Sequence, residues 1–229
     1  MIYENFVKLK EKLRNAVLKI YHPKGKWAFV AAIGTNAKIL DVGCGNHSVR
    51  IIKSLSPSCI YTGIDIDDYN LTSSDKRLMN RYIITKPEVF SAEISQHINE
   101  FDAVISSHNL EHVNDRNGTL LAMLQSLKNG GKLYLSFPSE ATVNFPSRQG
   151  TLNYLDDSSH QGSPPNFEEV INLLTQYNFD IHFAKPRYRP LLLLCVGFFL
   201  EPLSRLRGKT MIGTWALYGF ESVIHATKK

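Results

Sequence analysis

A Gly-Cys-Gly turn between an apolar segment and a helical pattern is the feature that most constrains this chain. The turn lies within ILDVGCGN, residues 39–46. The overlapping KILDV predicts a buried strand, and the following SVRIIKSL has the apolar spacing of a helix. Gly43 and Gly45 have no side chain, so the backbone can bend sharply and come close to a ligand. The pattern therefore predicts a strand–turn–helix unit whose unpaired helical N–H groups face a polar molecule.

Strands and helices alternate along most of the remaining sequence. Strands are predicted at 38–42, 59–66, 101–107, 131–137, 179–184 and 215–227, and helices at 48–55, 69–80, 117–127 and from 167 onward. Asn166 is the expected N-cap of the last helix. Residues 81–99 are ambiguous, with at most a short strand near Val89 and Phe90. This alternation predicts an α/β fold, with a parallel sheet covered by helices on both faces.

Length and composition favour one domain with appendages. A chain of 229 residues with 43% hydrophobic composition can bury one large core but has little room for a second. We expect a single domain over 1–229, with an N-terminal helical appendage at 1–35, a cofactor-binding core at 37–140 and an acceptor-side region at 141–229. The appendage carries an apolar stripe from Phe6 to Ile20, which is expected to pack on the domain.

The cysteines and the N-terminal segment indicate a reducing compartment. Cys44, Cys59 and Cys195 lack Cys-x-x-Cys spacing, so neither a disulfide framework nor a zinc cluster is suggested. The N-terminal segment lacks the uninterrupted apolar core of a signal peptide. We therefore expect a cytoplasmic protein.

The ends of the first two predicted strands suggest a class of cofactor. In doubly wound folds, ligands bind at the carboxyl ends of the strands, and an acidic residue after the second strand can accept both ribose hydroxyls. Asp65 is such a residue and follows Gly45 by twenty positions. A nicotinamide dinucleotide prefers a third glycine where this chain has Ser48, and its pyrophosphate would lie close to the acidic Asp41. S-adenosylmethionine carries an ammonium and a sulfonium, and it fits Asp41 better.

Four motifs in order resemble those of the class I S-adenosylmethionine-dependent methyltransferases, of the broad type 11 group. They are ILDVGCGN, YTGIDID, FDAVISSHNLEHV and LKNGGKLYLSFP. The resemblance covers residues 37–140 well and continues more loosely to the end of the chain. It implies a Rossmann-like, seven-stranded sheet with helices on both faces. It also implies S-adenosyl-L-methionine as the cofactor and S-adenosyl-L-homocysteine as the product.

The resemblance also implies a set of cofactor-binding residues. Asp65 binds the ribose, Ile66 lies under the adenine, and Ser107 and His108 close the cofactor floor after the fourth strand. The residues of the first motif that line the cofactor are Asp41, Gly43, Cys44, Gly45 and Asn46. From the residue itself, Cys44 is expected to be small filler rather than a nucleophile.

Two departures from the family pattern affect this site. His47 stands where a third glycine is often found, which narrows the approach to the turn. FSAE stands where the family has the Gly-Asp-Ala motif that contacts adenine. The resemblance therefore implies that Ser91 and Ala92 contact adenine.

Histidines are the candidate catalytic residues. Methyl transfer to a hydroxyl requires an acceptor held in line and a base that removes its proton. His108, at the mouth of the fourth strand, and His160, in the loop DDSSHQGSPP, are expected to face the acceptor. Glu111 and His112 are expected to form hydrogen bonds within the scaffold. Their spacing also resembles that of metal ligands, but without a further identifiable ligand no metal site is predicted.

The excess of positive over negative charges in the chain lies in the segment 185–209. Six Lys and Arg residues stand there against one acidic residue, Glu201, which accounts for the formal net charge of +5. Its ten apolar residues, Leu191–Leu200, are too few to span a bilayer, which takes about 20. A lid over the acceptor, a homodimer surface and a peripheral helix at the inner face of a membrane are all compatible with this pattern. The lid and the subunit interface are favoured over the membrane helix.

These observations predict a methyltransferase that acts on an oxygen of a sugar, a lipid-linked glycan or another small metabolite. No nucleic acid partner is expected. The motif of DNA amino-methyltransferases is absent after the fourth strand, and no basic and aromatic RNA-binding module is present. A NAD(P)-dependent oxidoreductase or epimerase and a non-catalytic cofactor-binding scaffold are the alternatives.

Overall fold

The computed structural model describes residues 20–229, and their strands form a single seven-stranded sheet. The amphipathic helix expected in the N-terminal segment lies outside these residues. The strands are β1 (Lys38–Val42), β2 (Ile60–Asp65), β3 (Arg81–Ile84), β4 (Phe101–Ser107), β5 (Leu127–Pro138), β6 (Phe179–Lys185) and β7 (Glu221–Lys228). Their order is β3-β2-β1-β4-β5-β7-β6.

Most neighbouring strands of this sheet run parallel. The pairs β1–β2, β1–β4, β2–β3 and β4–β5 are parallel, whereas β7 is antiparallel to both β5 and β6. The predicted seven-stranded α/β fold is confirmed. Strand β7 departs from the parallel arrangement that the alternation of strands and helices predicts.

Helices cover both faces of the sheet. They are α1 (Lys26–Val30), α2 (Ser48–Leu55), α3 (Ser73–Leu78), α4 (Phe90–Ser95), α5 (Arg116–Ser126), α6 (Phe167–Gln176), α7 (Leu191–Arg207) and α8 (Thr214–Tyr218). Successive strand residues point to opposite faces. Leu40 and Val42 therefore join a core with residues of α4, α5 and α6, whereas Ile39 joins a second core with residues of α1 and α2. Each large apolar side chain buried in this way contributes about 1.5–3 kcal/mol.

The segment between β2 and β4 differs from its prediction. Helix α3 begins after Thr72, whose hydroxyl accepts a hydrogen bond from the Asp75 N–H, so the helix predicted over 69–80 is shorter. The strand expected near Val89 and Phe90 is wrong. Strand β3 lies earlier, and Val89 ends a 3-10 turn that leads into α4.

The C-terminal third contains one predicted helix and one misassigned strand. Asn166 caps α6 as predicted, because its side chain accepts a hydrogen bond from the Glu169 N–H. The strand expected over 215–227 is instead α8 followed by β7. Gly219 separates them with a left-handed φ of 69°, a conformation that commonly ends helices.

The basic and apolar segment forms α7, which is fixed to the domain by one face. Gly197 packs so closely on Gly213 that a Cβ at Gly197 would lie 2.2 Å from the Gly213 oxygen. The buried Glu201 accepts hydrogen bonds of 2.7 and 2.9 Å from the Arg148 guanidinium. Among residues 20–229, no helix is long and apolar enough to cross a membrane.

Candidate active site

The glycine turn joins β1 to α2 at the carboxyl edge of the sheet. Gly43 has a left-handed φ of 77°, and its N–H donates to the Ile64 carbonyl of β2 at 2.9 Å. A Cβ at Gly43 would lie 2.8 Å from Asn109 Nδ2, and one at Gly45 would lie 2.9 Å from the Tyr69 oxygen. Both glycines are therefore required where the turn packs against the segments that follow β2 and β4.

Asp65 lies at the end of β2, beside this turn, as predicted. Its two carboxylate oxygens accept hydrogen bonds from the Gly45 N–H at 3.1 Å and from the Ile66 N–H at 2.8 Å. Burial raises the pKa of Asp65, and these two N–H donors partly offset the rise. Each oxygen keeps a further acceptor position. The pair of oxygens is thus able to receive the two hydroxyls of a ribose.

Asp41 has partners other than those expected. Its carboxylate accepts hydrogen bonds from Lys26 Nζ at 3.1 Å, Ser48 Oγ at 2.5 Å and Tyr61 OH at 2.8 Å, and it is fully buried. These groups neutralise the charge that was expected to hold an ammonium or a sulfonium. Asp41 therefore fixes the turn to α1 and β2 from beneath, and direct contact of its carboxylate with a cofactor stays a prediction.

Two further residues of the first motif differ in burial, since Cys44 is buried and Asn46 is exposed. Cys44 is fully buried, and its pKa is raised by burial and by the nearby carboxylates of Asp41 and Asp65. A thiol held neutral in this way is consistent with the filler role that the sequence predicts. Asn46 has a left-handed φ of 53°, and its side-chain oxygen accepts a hydrogen bond from Asn70 at 2.7 Å.

Asn109 is a site residue that sequence reasoning missed. It follows β4, is 9% exposed and contacts the Gly43 position, and its side-chain oxygen is buried without a hydrogen-bond partner among the described residues. A buried acceptor left unpaired costs about 1–3 kcal/mol. A ligand that carries an N–H or ammonium donor at the glycine turn would relieve this cost. The unpaired oxygen of Asn109 fits the amino acid end of S-adenosylmethionine, and the Asp65 carboxylate fits its ribose.

The residues expected to contact adenine lie in the first turn of α4. The chain that directly follows β3 is 85–89, and the Thr85 N–H donates to the Asp65 carbonyl at 3.0 Å. Ser91 and Ala92 lie beyond this segment, in the first turn of α4, and the Ser91 hydroxyl contacts Asp115. Contact of Ser91 and Ala92 with adenine stays a prediction. Ile66 is 42% exposed beside Asp65, which leaves an apolar surface where adenine binding is predicted.

His108 lies between two carboxylates. Its Nδ1 is 3.1 Å from Glu111 Oε1, and its Nε2 is 2.7 Å from Glu221 Oε1 at the start of β7. Burial lowers the pKa of His108, but the two acidic partners outweigh it and raise the pKa to about 10. An imidazolium that donates both N–H groups has no lone pair for an acceptor proton. This arrangement favours a positioning role for His108, and its role as a general base stays a prediction.

Ser107, the last residue of β4, lies beside the same cluster. Its hydroxyl is 2.9 Å from the Ser136 hydroxyl of β5, so it contacts the neighbouring strand. Its contact with a cofactor stays a prediction.

His160 lies next to His112, and its Nε2 has no hydrogen-bond partner among the described residues, with Asp157 Oδ2 at 3.9 Å. Its Nδ1 is 2.6 Å from the Tyr154 carbonyl, and its ring stacks on Tyr154 with centroids 4.2 Å apart. A carbonyl only accepts, so neutral His160 carries its proton on Nδ1 and its lone pair on Nε2. The Gln161 N–H donates to the Glu111 carbonyl at 2.8 Å, which holds this loop against the turn after β4. Glu111 thus contacts His108 through its carboxylate and the loop that carries His160 through its backbone carbonyl.

A cleft of about 680 Å³ opens beneath α7. Its apolar lining includes Leu193, Leu200, Met211, Ile212 and Trp215, and Arg207 and Lys209 also line it. The Trp215 ring lies 5.3 Å from the His108 ring, so the cleft leads towards the end of β4.

These features define a class of protein. A sheet of this order, a glycine turn after its first strand and a buried carboxylate after its second form a Rossmann-like cofactor site of the methyltransferase type. Residues 40–135 match the family described as a methyltransferase domain. This match and the fold support a class I S-adenosylmethionine-dependent methyltransferase.

Two curated relatives match part of the chain. A malonyl-[acyl-carrier protein] O-methyltransferase of Acetivibrio thermocellus is 27% identical over 136 residues, which are 58% of this chain and 44% of that protein. A ubiquinone biosynthesis O-methyltransferase of Saccharophagus degradans is 35% identical over 104 residues, which are 43% of this chain and 42% of that protein. The matched region spans less than half the length of either relative.

The fold as a whole resembles that of solved methyltransferases. An S-adenosylmethionine-dependent methyltransferase from Mesorhizobium loti superposes with a TM-score of 0.59 over 89% of this chain and 97% of that chain, at 15% identity. At this identity the likeness concerns the fold alone.

Proposed function

We propose that the protein transfers the methyl group of S-adenosylmethionine to a hydroxyl oxygen of a sugar, a lipid-linked glycan or another small metabolite. One observation carries the oxygen assignment. At the carboxyl edge of the sheet, His160 is oriented by the Tyr154 carbonyl so that its Nε2 lone pair is available to take a proton. The two curated relatives support the choice of oxygen, since both are O-methyltransferases by name.

The chain's own residues would hold the cofactor along the edge of β1, β2 and β4. Asp65 would accept the ribose hydroxyls, Asn109 Oδ1 would accept an N–H donor, and Ile66 would cover one face of the adenine. We place the other adenine contacts in the segment 85–89. Bound S-adenosylmethionine supplies a methyl group already activated by its sulfonium. The protein's work is then positioning, water exclusion and removal of one proton.

We place the acceptor in the cleft beneath α7. Its apolar side chains suit a hydrophobic portion, and Arg207 and Lys209 suit an anionic group. Such a pairing is typical of lipid-linked glycans and of acidic metabolites. In this proposal α7 acts as the lid, and its outward apolar face makes a further contact with a second subunit or with an anionic membrane.

Turnover measurements test this proposal. Purified protein, S-adenosylmethionine and a panel of hydroxyl acceptors should yield S-adenosylhomocysteine. His160→Ala should lower this turnover by roughly 10²–10⁴-fold, because it removes the base, whereas affinity for S-adenosylhomocysteine should persist. His182→Ala is the matched control, since His182 lies on β6 and bonds only to Thr227 among the described residues.

Two results would contradict the proposal. Full turnover in His160→Ala would exclude a histidine base at this position. Binding of S-adenosylhomocysteine without turnover on any acceptor would instead favour a non-catalytic scaffold.

A further inference from the structure

We propose that Glu111, His112 and His160 form a binding site for a divalent transition-metal ion. Each of the three residues places a potential ligand atom within 4.8 Å of the other two. The sequence motif HNLEH offered only two of them. The third comes from the loop after Tyr154, which folds back onto the 3-10 turn Leu110–His112.

The carboxylate of Glu111 supports this site independently of its neighbours. Glu111 is 1% exposed, and only its Oε1 is paired, with His108. Its Oε2 is buried and has no hydrogen-bond partner within residues 20–229. A buried, unpaired carboxylate oxygen is costly unless it binds a cation or a donor. A metal ion would satisfy it.

Both histidines have the tautomer that a metal ion requires. Ser159 Oγ donates its single hydrogen to Asp157 Oδ1 at 2.5 Å, so it can only accept from His112 Nδ1 at 3.0 Å. Neutral His112 therefore carries its lone pair on Nε2. The Tyr154 carbonyl fixes His160 in the same tautomer. Metal-binding histidines commonly donate their other N–H to such an oxygen.

The surrounding charges favour a cation. The carboxylates of Glu111 and Glu221 lie 3.1 and 2.7 Å from the two ring nitrogens of His108. Asp157 adds a further negative charge 3.9 Å from His160 Nε2. The ligand segments are also held in place, because Arg116 donates to the carbonyls of Leu110 and Gln161. The site is therefore electronegative and largely preformed.

The ligand set indicates the kind of metal. Two imidazoles and one carboxylate suit Zn²⁺, Mn²⁺, Fe²⁺ and Co²⁺ better than Mg²⁺ or Ca²⁺, which prefer oxygen ligands alone. Zinc bonds of about 2.0–2.2 Å in tetrahedral geometry keep ligand atoms about 3.4 Å apart. Small side-chain rotations would close the three residues around an ion and leave at least one coordination position open.

A bound ion would occupy the Nε2 lone pair of His160, so this inference is an alternative to the role of His160 as a free base. Metal binding measured without cofactor or acceptor tests it separately from methyl transfer. The protein should be untagged and chelator-treated, with Cys195→Ser in every variant, because Cys195 is an exposed thiol. Calorimetry with Zn²⁺ should give one equivalent bound, and Co²⁺ should produce a visible absorption band. His112→Ala and His160→Ala should each weaken Zn²⁺ binding more than about 100-fold, beyond what loss of an outer hydrogen-bond partner costs.

Two controls make the result specific. His182→Ala removes a distant imidazole and should leave Zn²⁺ affinity unchanged, and thermal melts should confirm that each variant is folded. Glu111→Gln, which keeps the side-chain volume, should weaken binding as the histidine variants do. Absence of Zn²⁺ and Co²⁺ binding in the otherwise unmodified protein would overturn the inference. Unchanged affinity in both histidine variants would do the same.

Discussion

Asp65 combines burial with two backbone hydrogen bonds, and this combination fixes the direction of its remaining acceptor positions. Asp65→Ala would leave the ribose hydroxyls of a bound ligand without their acceptor. We expect a loss of about 1–3 kcal/mol in affinity for S-adenosylhomocysteine, or roughly 5–150-fold in Kd, measured by calorimetry. Asp67→Ala is the control, because Asp67 is an exposed neighbour beyond the strand end. Equal affinities in the two variants would remove Asp65 from the site.

Individual site residues differed in how well the sequence predicted them. The Gly43 and Asp65 positions follow from strand ends and from spacing, so both were correctly placed at the carboxyl edge. The orphaned oxygen of Asn109 becomes visible only when the turn after β4 packs on Gly43. The charge state of His108 depends on Glu221, which is 113 positions away in the chain. No local pattern reports such a partner.

Element boundaries were predictable where a strong pattern or a cap was recognised. Strands β1 and β4 and helix α2 matched their apolar patterns. The start of α3 was missed although Thr72 and Asp75 form a capping box. Helix α8 as a whole was assigned to a strand, although Gly219 follows it. Strand β3 has four residues and lies at the sheet edge, too short for a periodic signal.

Helix α7 presents an apolar face that the described residues leave uncovered. Phe198 and Phe199 are 66% and 78% exposed, whereas Gly197 and Glu201 face the domain. Flotation with anionic and neutral vesicles tests the membrane alternative, since each basic residue near an anionic surface adds about 1 kcal/mol. Arg207→Glu with Lys209→Glu should abolish flotation if the membrane is the partner. Arg205 is left intact, because it donates to Glu201.

The subunit interface is the alternative that we favour for this face. It predicts that the protein does not float with either kind of vesicle and that it sediments as a dimer. The double variant Phe198→Ser, Phe199→Ser should dissociate this dimer. A monomer that does not float would contradict both roles of the exposed face and would leave α7 as a lid alone.

The molecule as a whole brings together residues from distant parts of the sequence at one edge of the sheet. Parallel strands β1, β2 and β4 place the glycine turn, Asp65 and Asn109 side by side. The antiparallel β7, preceded by α8, brings Glu221 and Trp215 to the same edge. The proposed cofactor site thus lies on the parallel half of the sheet, and the proposed acceptor side lies on the antiparallel half.

Calorimetric titration of the unmodified protein with S-adenosylhomocysteine and, separately, with NAD⁺ distinguishes a methyl-donor site from a dinucleotide site. The glycine turn, the Asp65 carboxylate and the unpaired Asn109 oxygen predict one equivalent of S-adenosylhomocysteine bound and no heat of binding with NAD⁺. Binding of NAD⁺ without binding of S-adenosylhomocysteine would contradict the account.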